Sequence, residues 1–482
     1  MPSKHTIITS LLWKFLERGG TQVAQFVVAI VLARLLSPAD FGLIALVTVF
    51  MAIANVFVQS GLNSALMQKK NVDTLDFSSV FYLSLTLAGF VYLILFLSAP
   101  WIANFYHRVD LIPVIRVLGL TLFLGAFNSI QETYIVRNMM FKKLFYRSVG
   151  AIIPAGILGI VCAYLDLGVW ALVIQQLTNS FLICVIMWFT VKWRPRLMFS
   201  WVRVKLLFSF GWKLLISSLL DTGYTNLRSL VIGRLFQPAT LGFYNRGSQF
   251  PSIIVSNINA SIQSVMFPSL SAVQDDKIQL KRMVRRAIVT SSFLILPLMA
   301  GLAAMAKPVV KIVLGEKWLS CVPFVQIECF IFAFWPIHTS NLSAINALGR
   351  SDIFLKLEVI KKILGVSCLI AFFYMFHSAI GIALGGAFST ILGTFINANP
   401  NKKLLNYGYF EQMKDIGPSF ILSLVMGLGL WWLTKLHLSP VLVLILLTFI
   451  GALFYLGVAK LLHFECLDYL IKTLQGFRND RR

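Results

Sequence analysis

Charge is scarce in this chain of 482 residues: only 13% are Asp, Glu, Lys or Arg, against 58% hydrophobic. Together with a mean hydropathy of +0.81, so little charge excludes an ordinary soluble globule. Acidic residues are scarcer still, 19 against 42 Lys and Arg. The six cysteines, Cys162, Cys184, Cys321, Cys329, Cys368 and Cys466, show no CxxC spacing. They point neither to a metal site nor to a disulfide framework. Also missing are a Walker A loop, HExxH, a nucleophile elbow and paired carboxylates on one aqueous loop. The expectation is a protein that is not an enzyme, holds no cofactor or metal, and uses no ATP unless a partner supplies the ATPase.

What remains is a polytopic membrane protein. Apolar stretches of bilayer length lie near residues 10–36, 40–66, 74–100, 111–136, 146–165, 168–190, 204–236, 243–272, 283–306, 321–348, 356–377, 380–400, 416–436 and 439–462. The predicted fold class is all-α, with about 14 transmembrane helices. The first stretch is too long and too polar for a cleaved signal peptide. A net charge of +23 would suggest nucleic acid in a soluble chain. Here most Lys and Arg cluster in alternate loops: Lys69–Lys70, Arg137–Arg147, Lys192–Lys205, Lys277–Arg286, Arg350–Lys362, Lys402–Lys414 and the C-terminal tail. By the positive-inside rule those loops and both termini face the cytoplasm. The charge is mainly topological, and no nucleic-acid partner is expected.

One stretch organises the rest, LLFSFGWKLLISSLLDTGYTNLRSLVIGRLFQPATLG, residues 206–242. Lys213, Ser217, Asp221, Tyr224 and Arg228 fall at i, i+4, i+8, i+11 and i+15, one face of a helix. A charge at mid-bilayer costs about 2.5–3.5 kcal/mol even on insertion scales, so this face is expected to line protein or a wet cavity. The stretch also echoes an earlier one at an offset of 200. Val31, Arg34, Leu35, Pro38, Ala39 and Gly42 recur as Val231, Arg234, Leu235, Pro238, Ala239 and Gly242. In the helix after each, Gln59 and Asn63 stand opposite Asn259 and Gln263. The pattern is that of a duplicated transporter core, its site between the halves.

Further candidates follow along the chain. In the first span Glu17 and Arg18 either sit at the inner interface or join Gln22 and Gln25 in lining the cavity; Arg18, Gln22 and Gln25 share a face. Asn55, Gln59 and Asn63 form a stripe in the second span, for a site or for interhelical amide bonds. Glu132 is either a proton carrier or an interfacial carboxylate paired with Arg137. His338 is read as hydrogen-bonded packing ahead of a proton relay. Pro308 and Gly315 should break off a short outer amphipathic piece. The basic, aromatic KWRPRLMFSW, residues 192–201, reads as an interfacial linker between halves.

The pieces SGLNSALMQKKNVD (60–73), FYHRVDLIPVIRVLGL (105–120), GVWALVIQQL (168–177), LVIGRLFQPATLGFYNR (230–246), MFPSLSAVQDD (266–276) and PLMAGLAAMAKPVVKIVLGEKWLSCVPF (297–324) resemble the polysaccharide transporter branch of the multidrug/oligosaccharidyl-lipid/polysaccharide flippase superfamily, with its colanic acid exporters and O-antigen flippases. The resemblance covers most of residues 10–360. It implies two parallel six-helix lobes around a central cavity plus two C-terminal helices: lobe 1–192, linker 193–203, lobe 204–400, loop 401–415, helices 416–462 and tail 463–482. It also implies alternating access without ATP, carrying an undecaprenyl-diphosphate-linked oligosaccharide across the bacterial inner membrane. Polymerase and assembly machinery are possible partners, and H+ or Na+ a possible coupling ion. On that basis Arg18, Lys213 and Arg228 would bind the diphosphate, and Gln59, Asn63, Asn259 and Gln263 the sugar hydroxyls. The chain departs from the family pattern at Arg228, where an acidic residue is usual, and at Gln237, where Gly is usual. Asp221 thereby becomes the better ion-coupling candidate, ahead of Glu132 and Glu17, or a structural counter-ion. The alternatives are a multidrug or cation antiporter of the related branch, which calls for an acidic, aromatic cavity, and a membrane glycan polymerase, which needs a large outer loop.

Overall fold

The computed structural model describes residues 4–59, 61–435 and 439–469, and leaves out some side chains of the first and tenth helices and that of Phe210. Among the described residues the regular structure is helical. In order it runs α1 (Lys4–Leu35), α2 (Pro38–Gln59), α3 (Leu62–Gln68), α4 (Thr74–Phe105), α5 (Leu111–Leu118), α6 (Thr121–Arg137), α7 (Phe141–Tyr164), α8 (Val169–Thr190) and α9 (Trp201–Leu235). The order continues with α10 (Pro238–Ser271), α11 (Lys277–Ala304), α12 (Ala306–Val313), a 3-10 turn (Glu316–Cys321), α13 (Val322–Ala333), α14 (Trp335–Ala347), α15 (Ser351–Phe376), α16 (Ala379–Leu405), α17 (Tyr409–Leu433) and α18 (Pro440–Leu461).

Among the described residues, eleven helical segments, with α5–α6 counted as one and the run from Glu316 to Ala347 as another, are long and apolar enough to cross a membrane. The other long helices are α1, whose apolar part Gly19–Leu35 is shorter, α9 and α10. They carry most of the sequence-predicted charges and amides, and with them the order is consistent with fourteen passes. The offset of 200 is visible in the element bounds. α1 and α9 end at Leu35 and Leu235, and α2 and α10 begin at Pro38 and Pro238, where proline's fixed φ suits the first helical position. Before Pro38 the Ser37 hydroxyl accepts from the Asp40 amide at 3.2 Å while Asp40 accepts from the Ser37 amide at 3.0 Å, a reciprocal cap.

By contacts the chain divides into Met1–Gly242 and Phe243–Arg482. In the first unit α1 packs on α7, α7 on α8, and α4 on α5 and α6. α9 lies against α2, α3 and α4. Where α10 begins, glycines permit a close approach to the start of α2: a Cβ on Gly42 would stand 1.7 Å from the Pro238 carbonyl oxygen, and one on Gly242 would stand 2.2 Å from that of Pro38. The contact is reciprocal, each copy of the repeated Pro-Ala-x-x-Gly turn resting on the other. At the far end of α2, Gly61 takes φ +67°, a left-handed conformation that costs a side chain about 1–2 kcal/mol. Its absent Cβ would lie 2.3 Å from the Gly211 carbonyl oxygen of α9.

That turn overturns one expectation. Asn55, Gln59 and Asn63 do not form a single helical stripe, because Gly61 separates α2 from α3. The second copy, α10, runs unbroken past Asn259 and Gln263. The short piece expected around Pro308 is present as α12, closed by Gly315 at φ +98°.

The segment 191–200 has no regular structure and is bound to the start of α4. The Arg196 amide donates to Ser78 Oγ at 3.1 Å and the Ser200 amide to Ser79 Oγ at 3.0 Å. Trp193 packs on Phe77 and Phe81. Beside it the fully buried Asp76 carboxylate takes Lys69 at 2.6 Å and Arg203 at 3.3 Å, and Asp76 and Asp73 cap α4 reciprocally.

In the second unit α11 packs on α17 and α15 on α16. Its polar core is an amide cluster. Asn341 donates to Gln412 Oε1 at 2.8 Å, and Asn341 Oδ1 accepts from Gln412 at 2.9 Å and from Asn401 at 2.6 Å. His338 sits in a similar setting, as the sequence suggests. Thr394 donates to the Thr390 carbonyl at 2.8 Å, and its hydroxyl also lies 3.3 Å from His338 Nε2. The Asn397 side-chain amide meets Nδ1 at 2.9 Å, so both ring nitrogens have hydrogen-bond partners.

Candidate functional site in the first unit

Three of the predicted residues meet in one cavity. It measures about 570 Å³ and is walled by Gln59 from α2, by Asn63, Ser64 and Gln68 from α3, and by Ser129, Glu132 and Thr133 from α6, with Met67 and Val136 as its apolar margin. The break at Gly61 turns α3 toward α6, so two amides that a straight helix would carry on one stripe face the same space from two elements. Asn63 Oδ1 is enclosed and accepts no hydrogen bond among the described residues.

Glu132 is not paired with Arg137. Its carboxylate accepts from Arg147 of α7 at 2.9 Å; the Arg147 side chain is 10% exposed and that of Glu132 49%. Arg137 turns instead to backbone, donating to the carbonyls of Leu66 at 2.7 Å, Met67 at 3.3 Å and Lys70 at 2.7 Å. It thereby fastens α3 to the end of α6. Next to Arg147, Ser148 donates to Glu17 Oε1 at 3.3 Å, tying α1 to α7. Sequence reasoning missed Arg147 because a basic residue in a basic loop reads as topology alone.

The other candidates are placed elsewhere. On α9, Lys213, Ser217 and Asp221 are exposed and Tyr224 and Arg228 half-buried; none of them walls this cavity. Gln22 is half-buried and Gln25 exposed on α1, while the Arg18 side chain lies outside the described residues. Asn259, buried, and Gln263, exposed, belong to the second unit.

Apolar cavities accompany the polar one. A slot of about 890 Å³ between α2, α4 and α9 is lined by Phe50, Phe57, Leu83, Phe90, Ile94 and Phe208, with Trp201 and Lys205 also on its wall. In the second unit a slot of about 510 Å³ lies between α11, α13 and α17, lined by Met299, Phe330, Phe420 and Trp431 among others. Among the described residues no group of three or more His, Cys, Asp or Glu could hold a metal.

The chain is similar to known proteins over most of its length. The lipopolysaccharide biosynthesis protein WzxC of Escherichia coli K12 is 27% identical over 405 residues, 82% of this chain and 80% of that protein. The teichuronic acid biosynthesis protein TuaB of Bacillus subtilis is 24% identical over 357 residues, 73% of this chain and 74% of its own. Among solved structures, the lipid II flippase MurJ in an inward closed conformation superposes with a TM-score of 0.77 at 14% identity, covering 94% of this chain and 99% of that one. That last likeness fixes the fold. Residues 31–323 match the model of one family, and the chain belongs to it: the polysaccharide biosynthesis protein family.

Proposed function

We propose that this protein is a flippase for lipid-linked oligosaccharide, moving undecaprenyl-diphosphate-linked repeat units from the inner to the outer leaflet of a bacterial inner membrane by alternating access. The observation that carries the reading is the amide- and carboxylate-walled cavity of Gln59, Asn63, Gln68 and Glu132 in a membrane-embedded member of a polysaccharide biosynthesis family. Amides and carboxylates both match sugar hydroxyls, since amides donate and accept and carboxylates accept. The cavity adjoins the Lys69–Lys70 and Arg137–Arg147 loops, which the positive-inside rule places in the cytoplasm. That is the side on which a lipid-linked precursor would load.

The lipid end calls for other chemistry. Lys213 and Arg228 on α9 would offer charge-assisted donors to the diphosphate, with Arg18 on α1. Coupling falls to Asp221, to Glu17 or to Glu132, drawing on an H+ or Na+ gradient. Of these Glu132 is the poorest carrier, because protonating it would leave the mostly buried Arg147 guanidinium without its counter-charge. Both termini would lie in the cytoplasm, and polymerase and assembly machinery would act on the delivered unit. A multidrug or cation antiporter would need an acidic, aromatic cavity, whereas among the described residues this wall holds one carboxylate and no aromatic ring.

The test is deletion of the gene followed by mass spectrometry of the lipid fraction. The expected result is a lipid-linked oligosaccharide accumulating on the cytoplasmic side, cleared by the wild-type gene. Accumulation of the same lipid-linked unit on the outer leaflet, with polymer lost downstream, would point to polymerisation instead.

A further inference from the structure

The charges around the polar cavity of the first unit are arranged unevenly, and the unevenness bears on which sugar fits. Six cations belong to the loops beside it: Lys69, Lys70, Arg137, Lys142, Lys143 and Arg147. None of them walls it. Lys69 is held by Asp76 at 2.6 Å. Arg137 is engaged by three backbone carbonyls. Arg147 stands behind Glu132, nearly buried, with its Nη1 on Oε2. Among the described residues the one formally charged group on the wall is therefore the Glu132 carboxylate, half-exposed, with Oε1 left over to accept from a ligand. Around it stand the amides of Gln59, Asn63 and Gln68 and the hydroxyls of Ser129 and Thr133.

We infer that this cavity selects a neutral sugar, one bearing hydroxyl or acetamido groups, and that Glu132 is the residue that excludes acidic sugars. The inference rests on the flippase reading for its substrate. A neutral ring brings hydroxyl donors to Glu132 and mixed partners to the amides. A uronic acid or sulfated sugar brings a second anion to a wall with no cation to meet it, and like charges juxtaposed at a desolvated contact are costly. Arg147 serves Glu132 as a positioning residue: its guanidinium supplies the counter-charge from behind and fixes the direction of the carboxylate.

The experiment uses the full-length protein and two probes: undecaprenyl diphosphate carrying a neutral trisaccharide, and the same lipid with the terminal C6 oxidised to a carboxylate. Binding is measured in detergent micelles and flipping in proteoliposomes. Wild type should prefer the neutral probe by about tenfold in both assays. Glu132→Gln removes the anion and leaves Arg147 uncompensated, so the preference should fall to unity or invert. Gln59→Lys, at an exposed wall position whose replacement spares the fold, should lower the preference in the same direction, and Gln59→Glu should raise it. Equal binding of both probes by wild type overturns the inference, as does a preference that none of the three variants moves. If wild type discriminates in binding but flips neither probe, the flippase reading fails and the specificity of the site stands.

Discussion

At the scale of single residues, the carboxylates decide most. Asp76 has no exposed surface yet is ionically paired with Lys69 and Arg203, and it closes the N-terminal cap of α4. Removing one partner of a fully buried pair costs about 3–5 kcal/mol; because Lys69 and Arg203 both reach water, water takes up part of that loss. Asp76→Asn should therefore cost about 2–3 kcal/mol, read as a lower melting temperature in detergent together with faster proteolysis in the 191–200 segment that rests beside it. Asp73 behaves differently. The Asp76 amide, and after it Arg203 and Lys69, hold its carboxyl below the ordinary 3.8. A depressed value in the folded state adds stability above the unfolded value and loses it as pH falls through the folded one. Asp73→Asn keeps the cap and loses the charge, so the wild type should melt higher than the variant from pH 7 down to about 4 and converge with it below. A constant gap down to pH 2 would remove the charge from the account. The pairing of Glu132 shows why such details escape sequence. Arg137 is five residues on, which puts it about 140° round the helix from Glu132 at 3.6 residues per turn. The true partner comes from the next helix, where only tertiary packing could bring it.

At the scale of elements, the repeat was legible and its consequence was not. The shared Pro-Ala-x-x-Gly turns can be read from the sequence as a duplication, but nothing in it says that the two turns rest on each other. The contact explains the glycines: a methyl group at Gly42 would lie 1.7 Å from the Pro238 carbonyl oxygen and one at Gly242 would lie 2.2 Å from that of Pro38. Backbone atoms cannot swing aside as a side-chain tip does. Gly42→Ala and Gly242→Ala should each force the starts of α2 and α10 apart, with an overpacking cost of about 1–3 kcal/mol. Because both press on one contact, the double variant should cost less than the sum of the two. Thermal melting of the three proteins measures this, and strict additivity would mean that the turns do not touch. The break between α2 and α3 was hidden for a related reason. A Ser-Gly in an apolar run is a weak stop signal, and what holds the turn is the close approach of Gly61 to the Gly211 backbone, 150 residues away in sequence.

At the scale of the molecule, the sequence disclosed class, helix order and likeness to a family because all three depend on hydropathy and local signals. The cavity did not follow from it, since its wall is assembled from α2, α3 and α6. The remaining whole-molecule question is orientation, and here charge and duplication make one joint prediction. If six passes separate the copies, the turns at Ala39 and Ala239 share a side of the membrane, and the basic loops fall on the other. Single cysteines placed in a variant lacking the six native ones test this with an impermeant maleimide. Ala39 is exposed and Ala239 half-buried, and Ala39→Cys and Ala239→Cys change the side chain little in size. On the basic side the substitutions should be Lys70→Cys and Lys277→Cys, both at exposed positions; Lys69 is unsuitable because it holds Asp76. In intact spheroplasts the Ala39→Cys and Ala239→Cys variants should label, while the Lys70→Cys and Lys277→Cys variants stay unmodified until the membrane is permeabilised. Opposite labelling of the two turns would mean an odd number of passes between the copies, hence inverted repeats. Labelling of all four from outside would instead break the link between basic loops and cytoplasm, and with it the placing of the Glu132 cavity on the side where a precursor loads.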